Sequence, residues 1–172
     1  MTTALWLAWA GYLAWLTAGA LDFACHRRTD LPHTSGLGES SLHLLQLALC
    51  GSAIAIGMAF AVGRATVTAL ALLVAAHAVA GYLDTRQAYP RRPIRPFEQH
   101  VHSVLDMAPP IGLALLVVSA WPLDGGWSVA WRDPPLPAWA WAMVLLPAAV
   151  LCGWPALTEF RAAWRVRAQR VA

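Results

Sequence analysis

Four stretches of this chain carry imidazole and carboxylate side chains at intervals that a single face of an α-helix can present: Asp22 with His26, Glu39 with His43, His77 with Asp84, and Glu98 with His102 and Asp106. Separations of four, seven and eight residues return to nearly the same helical face. Mixed nitrogen and oxygen donors of this kind suit iron, manganese or zinc. Carboxylates can also bridge two ions about 3.5–4 Å apart while histidines complete each coordination sphere. The nine residues form a ligand set large enough for two metals. His26, Glu39, His43, His77, Glu98 and His102 are the expected direct ligands. Asp84 and Asp106 are expected to orient histidine rings by accepting their second N–H, and Asp22 belongs to the same set.

The elements that must position these groups are hydrophobic. Of 172 residues, 59% are apolar and only 12% charged, about half the charge of an ordinary soluble domain. Five stretches are long enough to cross a bilayer, which takes about 20 apolar residues: roughly 4–21, 42–62, 65–83, 103–121 and 136–157. The expected fold is an all-α integral-membrane domain spanning residues 1–172, with five transmembrane helices. The first four would form a four-helix bundle around the metal site. The fifth has no ionisable residue between Asp133 and Glu159 and is expected to be scaffold. Ala18-Gly19-Ala20 resembles a signal-peptide cleavage site, but no basic residue precedes Arg27, so the first segment is read as retained.

Charge is expensive inside lipid, and so many ionisable groups in one region imply a function. The plain alternative is a hydrogen-bonded network tying helices together. Such contacts contribute under about 1 kcal/mol each in membranes, which makes nine residues an extravagant solution. His33 and His100 fall off the helical stripes and are read as facing water or headgroups.

The net charge of +3 does not point to nucleic acid. All the basic residues are Arg, and they flank the apolar segments. Arg27 and Arg28, then Arg86, Arg91, Arg92 and Arg95, then Arg161, Arg165, Arg167 and Arg170 fall on one side; Arg64 and Arg132 fall on the other. The positive-inside rule then places the N terminus outside and the C terminus in the cytoplasm, as in a bacterial inner membrane. Arg91, Arg92 and Arg95 serve topology and anionic lipid on the simple reading, and a substrate headgroup on the sharper one.

On that topology all four stripes lie at the cytoplasmic ends of their helices. By depth, Asp22, His43, His77 and Asp106 would form an inner layer. His26, Glu39, Asp84 and Glu98 would form an outer one, with His102 between. The matched gaps between His26 and Glu39 and between Asp84 and Glu98 suggest two duplicated hairpins. Pro109-Pro110 should kink the fourth segment, and the three prolines between Thr85 and Phe97 favour a stiff, extended loop. Tryptophans 121, 127, 131 and 139 read as an interfacial belt. Cys25, Cys50 and Cys152 show no paired spacing and read as small apolar residues.

The pattern resembles two broad groups. Di-iron carboxylate proteins likewise project Glu and His inward from four helices, although their Glu-x-x-His is replaced here by Glu-x3-His. Membrane desaturases and hydroxylases also cluster metal ligands near the cytoplasmic face, with more histidines than this chain has. Both resemblances imply two bound metal ions, iron foremost with zinc or manganese as alternatives. They also imply oxidation of a lipophilic small molecule drawn from the bilayer, with electrons from a partner protein. A zinc-dependent lipid hydrolase and a non-catalytic metal-binding membrane subunit are the competing expectations.

Overall fold

The computed structural model describes residues 3–123 and 127–171. It is built from helices: α1 Thr3–Arg28, α2 Gly36–Ala59, α3 Arg64–Ala88, α4 Pro96–Ser119, α5 Ala138–Ala148 and α6 Trp154–Val171. Between α5 and α6 the backbone keeps turning through a π-helical stretch, Ala149–Gly153, so the last two helices form one long rod. Four helices are long and apolar enough to cross a membrane: α2, α3, α4 and this rod. The expected fifth span meets α1, which has the length at 26 residues. Its apolar run is diluted by Trp6, Trp9, Tyr12 and Trp15, and it is not one of the four.

Outward-facing side chains are those of a protein surrounded by lipid. Leu72, Val79, Leu115, Val118, Leu146 and Val150 are all exposed, as are tryptophans 121, 127, 131 and 139. The interior is the unusual part. Twelve buried residues are apolar and twelve are polar or charged, among them Asp22, His26, Glu39, His43, Asp84, Arg92, Glu98 and His102. Soluble cores bury such groups only when they are paired, so the polar interior is the organising centre. A smaller apolar cluster of Leu16, Phe23, Cys152 and Ala156 supports it from α1 and the rod.

Helix ends follow local chemistry, not the hydropathy limits. Pro96 opens α4, its missing N–H costing nothing in the first turn. Glu39 sits in the first turn of α2, where a carboxylate meets the positive end of the helix dipole. Between α1 and α2 the chain reverses through two left-handed residues, Asp30 (φ 51°) and Gly36 (φ 64°), with a short 3-10 turn over Leu31–His33 between them. Leu31 is wholly buried there, against α6. The expected extended loop from Thr85 is shorter than read. α3 persists to Ala88 because its backbone bonding continues past the apolar residues, and the chain is extended only just before Pro96.

α1 packs on α4, α4 on α3, α3 on α2, and α2 on α6, which closes the ring onto α1. The fifth segment, expected as scaffold outside a bundle of the first four, continues into α6, which is wedged between α1 and α2. The proposed hairpin pairing changes as well, since α1 lies principally against α4 and not α2. At the opposite end, the segment after α4 is pinned to the α2–α3 turn. Ala61 N–H donates to Ala130 O (2.9 Å), Arg132 N–H donates to Ala59 O (2.9 Å), and Phe60 stacks on Trp131.

Candidate functional site

Among the described residues three groups of donor atoms form at the centre of the ring: His26, His43 and Glu159 link α1, α2 and α6, and two further clusters each come from one helix pair. From α1 and α4 come Asp22, His26, Glu98 and His102; from α2 and α3 come Glu39, His43 and Asp84. Within each cluster one ligand atom per residue lies within 4.8 Å of all the others. The division therefore follows helix neighbours, with the clusters side by side, and not the two depth layers expected from sequence. Depth alone ignored which helices touch.

The imidazole geometry is specific. His26 and His43 stack face to face, ring centroids 4.5 Å apart and planes within 4°. Glu159, on α6, accepts a hydrogen bond from Nδ1 of each: 2.9 Å from His26 and 2.7 Å from His43, one to each carboxylate oxygen. A carboxylate at Nδ1 fixes the tautomer with its proton there, so that the Nε2 lone pair is free. Both Nε2 atoms face the interior clusters. His26 Nε2 is 3.2 Å from Asp22 Oδ2. His43 Nε2 is 3.2 Å from Asp84 Oδ1. His102 Nε2 lies 2.9 Å from Asp22 Oδ1. Glu39 Oε1 is equidistant, 3.9 Å from both His26 Nε2 and His43 Nε2, the position of an atom shared between the two clusters.

Glu39 Oε1 accepts from Arg92, but most of the other inward atoms complete no hydrogen bond with proper angles. Asp22 Oδ1, His26 Nε2, His43 Nε2, Asp84 Oδ1, Glu98 Oε1 and His102 Nε2 are all buried without a hydrogen-bond partner. Each meets an ion-pair neighbour instead (Asp22 with His102 and His26, His43 with Asp84, Glu98 with Arg92), so the six converge with their hydrogen-bonding capacity only partly used. Their common feature is a lone pair, which is what a metal ion takes up.

Arg92 supplies the only cation buried among these carboxylates in the described residues. It comes from the turn between α3 and α4 and is 4% exposed. Its Nε and Nη2 donate to Glu39, with Nη2 at 2.5 Å from Oε1, and Nη1 lies 2.5 Å from Glu98 Oε1. Burial opposes its charge, yet hydrogen bonds and attraction from Glu39 and Glu98 hold its proton more firmly than usual. Arg92 is thus committed to the site's own carboxylates, whereas Arg91 and Arg95 remain exposed. Sequence reading grouped the three together because the topology rule treats all loop arginines alike.

The remaining sequence candidates lie elsewhere. His77 is buried on α3 but joins neither cluster. Asp106 is exposed and abuts Gly81, where a Cβ would stand only 2.8 Å from Oδ1. The carboxylate hydrogen-bonded to the Nδ1 atoms of His26 and His43 is Glu159, not Asp84 or Asp106. Asp84 faces the Nε2 side of His43 and so sits among the inward donors. Glu159 escaped sequence reading because the fifth apolar run was ended at Leu157, while the helix carries on to Val171. His33 pairs with Asp30 at the surface (2.8 Å), and His100 is exposed.

Beside the clusters opens a cavity of about 130 Å³, walled by Trp15, Leu16, Leu47, Ile54, Leu105 and Cys152 and reaching His43, Asp84 and His102. Its lining is largely apolar, so a lipid-soluble molecule could lie against the inward donors. Comparison with protein-family models, curated proteins and solved structures finds no match to this chain.

Proposed function

We propose that this chain is a membrane-embedded enzyme with two metal ions, iron foremost, that oxidises a lipophilic substrate held in the apolar cavity. The observation that supports the reading is the set of buried histidine and carboxylate atoms that face one another in ion-pair contacts without well-formed hydrogen bonds, while Glu159 fixes the two histidine tautomers behind them. Charge supports the count. Five carboxylates (Asp22, Glu39, Asp84, Glu98 and Glu159) surround one guanidinium, leaving a formal charge of minus four with neutral histidines. Two divalent cations would cancel it, and uncompensated charge of that size is untenable in a buried site.

The division of labour follows from position. His26, His102, Asp22 and Glu98 would hold one ion, and His43, Asp84 and Glu39 the other. Bound iron would supply the redox chemistry that no side chain here offers. Glu159 keeps both Nε2 lone pairs aimed inward, and Arg92 steadies Glu39 and Glu98 against mutual repulsion. The apolar walls exclude water from the reacting region and orient the substrate against His43, Asp84 and His102. Electrons would come from a partner, since the three cysteines are free and form no cluster motif.

All five long helical stretches, α1 included, would cross the bilayer, with ten of the twelve arginines and the site toward the cytoplasm. Elemental analysis of protein purified without added metal tests the proposal. About two irons per chain, lost when Glu39 and His102 are both changed to Ala, are expected. One zinc per chain would shift the reading to a hydrolase, and no metal in a folded protein would refute it.

A further inference from the structure

The cavity carries polar groups that the metal clusters leave unused. His77 lines it, is 5% exposed, and makes no hydrogen bond to any described residue. Trp15 lines it from α1, and its indole N–H is buried with no acceptor. Both stand seven residues before a cluster carboxylate on their own helices, His77 before Asp84 and Trp15 before Asp22. At about 1.5 Å per residue that is about 10 Å from the cluster level on each helix. The cavity joins the two levels, since it reaches Asp22 and Asp84 as well.

The indole N–H, buried with no partner, carries a desolvation cost that a bound oxygen would relieve, and the His77 ring makes no hydrogen bond that would compete for that oxygen. Neither fits an all-hydrocarbon occupant. An anionic headgroup fits no better, because Asp106 also lines the cavity and Arg92 is taken by Glu39 and Glu98. We infer that His77 and the Trp15 indole form a hydrogen-bonding subsite for an uncharged oxygen (an alcohol or carbonyl) on an otherwise apolar substrate, about 10 Å from the end that meets the clusters. The inference rests on the proposed function for its word substrate; the subsite itself does not require a metal. Such a subsite would fix which carbon reaches the clusters, because a ligand anchored at one end has little freedom to slide.

Two probes of equal length and different polarity test it: 8-fluorooctan-1-ol and 1-fluorooctane, titrated into the detergent-solubilised full chain and followed by ¹⁹F NMR against protein-free micelles. Metal content is measured on the same samples. Saturable binding of the alcohol, about tenfold tighter than the alkane, is expected. His77→Phe should reduce that preference to about twofold without changing metal per chain, and His77→Gln, which keeps a hydrogen-bonding group, should retain part of it. Trp15→Phe should weaken it less. Equal affinity for the two probes, or a preference that survives both His77→Phe and Trp15→Phe, would overturn the subsite. So would loss of metal in a folded His77→Phe protein, which would return His77 to the ligand set. Alcohol preference in a wild-type protein containing no metal would uphold the subsite while removing the enzyme reading.

Discussion

The two ends of α2 are each held by a buried or half-buried arginine, and they are held in opposite ways. At the N-terminal end Arg92 lies between Glu39 and Glu98, charge against charge, in a centre whose inward atoms are unsatisfied. At the C-terminal end Arg132 donates to the carbonyls of Met58 (3.0 Å) and Gly57 (2.9 Å), and nothing there is left wanting. Arg132 closes a helix whose last carbonyls would otherwise lack donors. Arg92 closes nothing by itself; it balances a fraction of a negative charge that remains. One end is finished by the protein alone, and the other is arranged to receive something.

That contrast can be broken in graded steps. The largest effect is expected from Arg92→Met with metal withheld, which leaves two adjacent carboxylates buried without a counter-charge. Loss of about 3–5 kcal/mol is expected for a broken buried pair, read as thermal unfolding in detergent. Added divalent iron or manganese should recover much of that loss; an equal deficit with and without metal would mean that the carboxylates serve packing only. Next comes Glu159→Ala, which frees the rings of His26 and His43. Removing an orienting partner of this kind typically lowers metal affinity about 10–100-fold, and competition with a chelator would measure it. Glu159→Gln, keeping one acceptor oxygen, should fall between. Arg132→Met should cost about 1 kcal/mol through its lost carbonyl contacts, with metal content unchanged. His33→Ala, which removes the solvent-exposed contact with Asp30, should change stability by less than about 0.5 kcal/mol.

Much of the contrast was readable from sequence, and its failures are physical. Apolar runs located α2, α3, α4 and the rod, because lipid imposes length and composition together. They misjudged where α3 stops, since it runs on to Ala88 and backbone hydrogen bonding does not end where hydropathy does; the start of α4 was legible from Pro96 itself. Helical spacing singled out seven residues that the fold gathers into the two clusters. His77 shares their spacing with Asp84 but lies about two turns deeper on α3, and periodicity reports a face without reporting which level of that face is populated. Glu159 and Arg92 stand alone in sequence, each without a partner at helical spacing. Their importance comes from helices and turns that meet only after folding, as does the pairing of α1 with α4.

The π-helical turn at Ala149–Gly153 has a consequence for what kinds of change this chain can absorb. It packs against α1, with Cys152 Sγ 3.6 Å from Leu16 O and close enough to Gly19 that a Cβ there would stand 2.7 Å away. A π turn amounts to one residue inserted into an α-helix. It therefore sets the rotational phase between the half of the rod that meets lipid and the half that presents Glu159. Deleting one residue within it would restore α-geometry with the two halves nearly in phase, whereas deleting one from the α-helical stretch between it and Glu159 would turn that carboxylate by about 100°, away from both imidazoles. Length changes in α5 amounting to whole turns would leave that phase almost intact. The rod thus behaves as a keyed shaft, indifferent to how far it extends into the bilayer and intolerant of a one-residue slip between the π turn and Glu159.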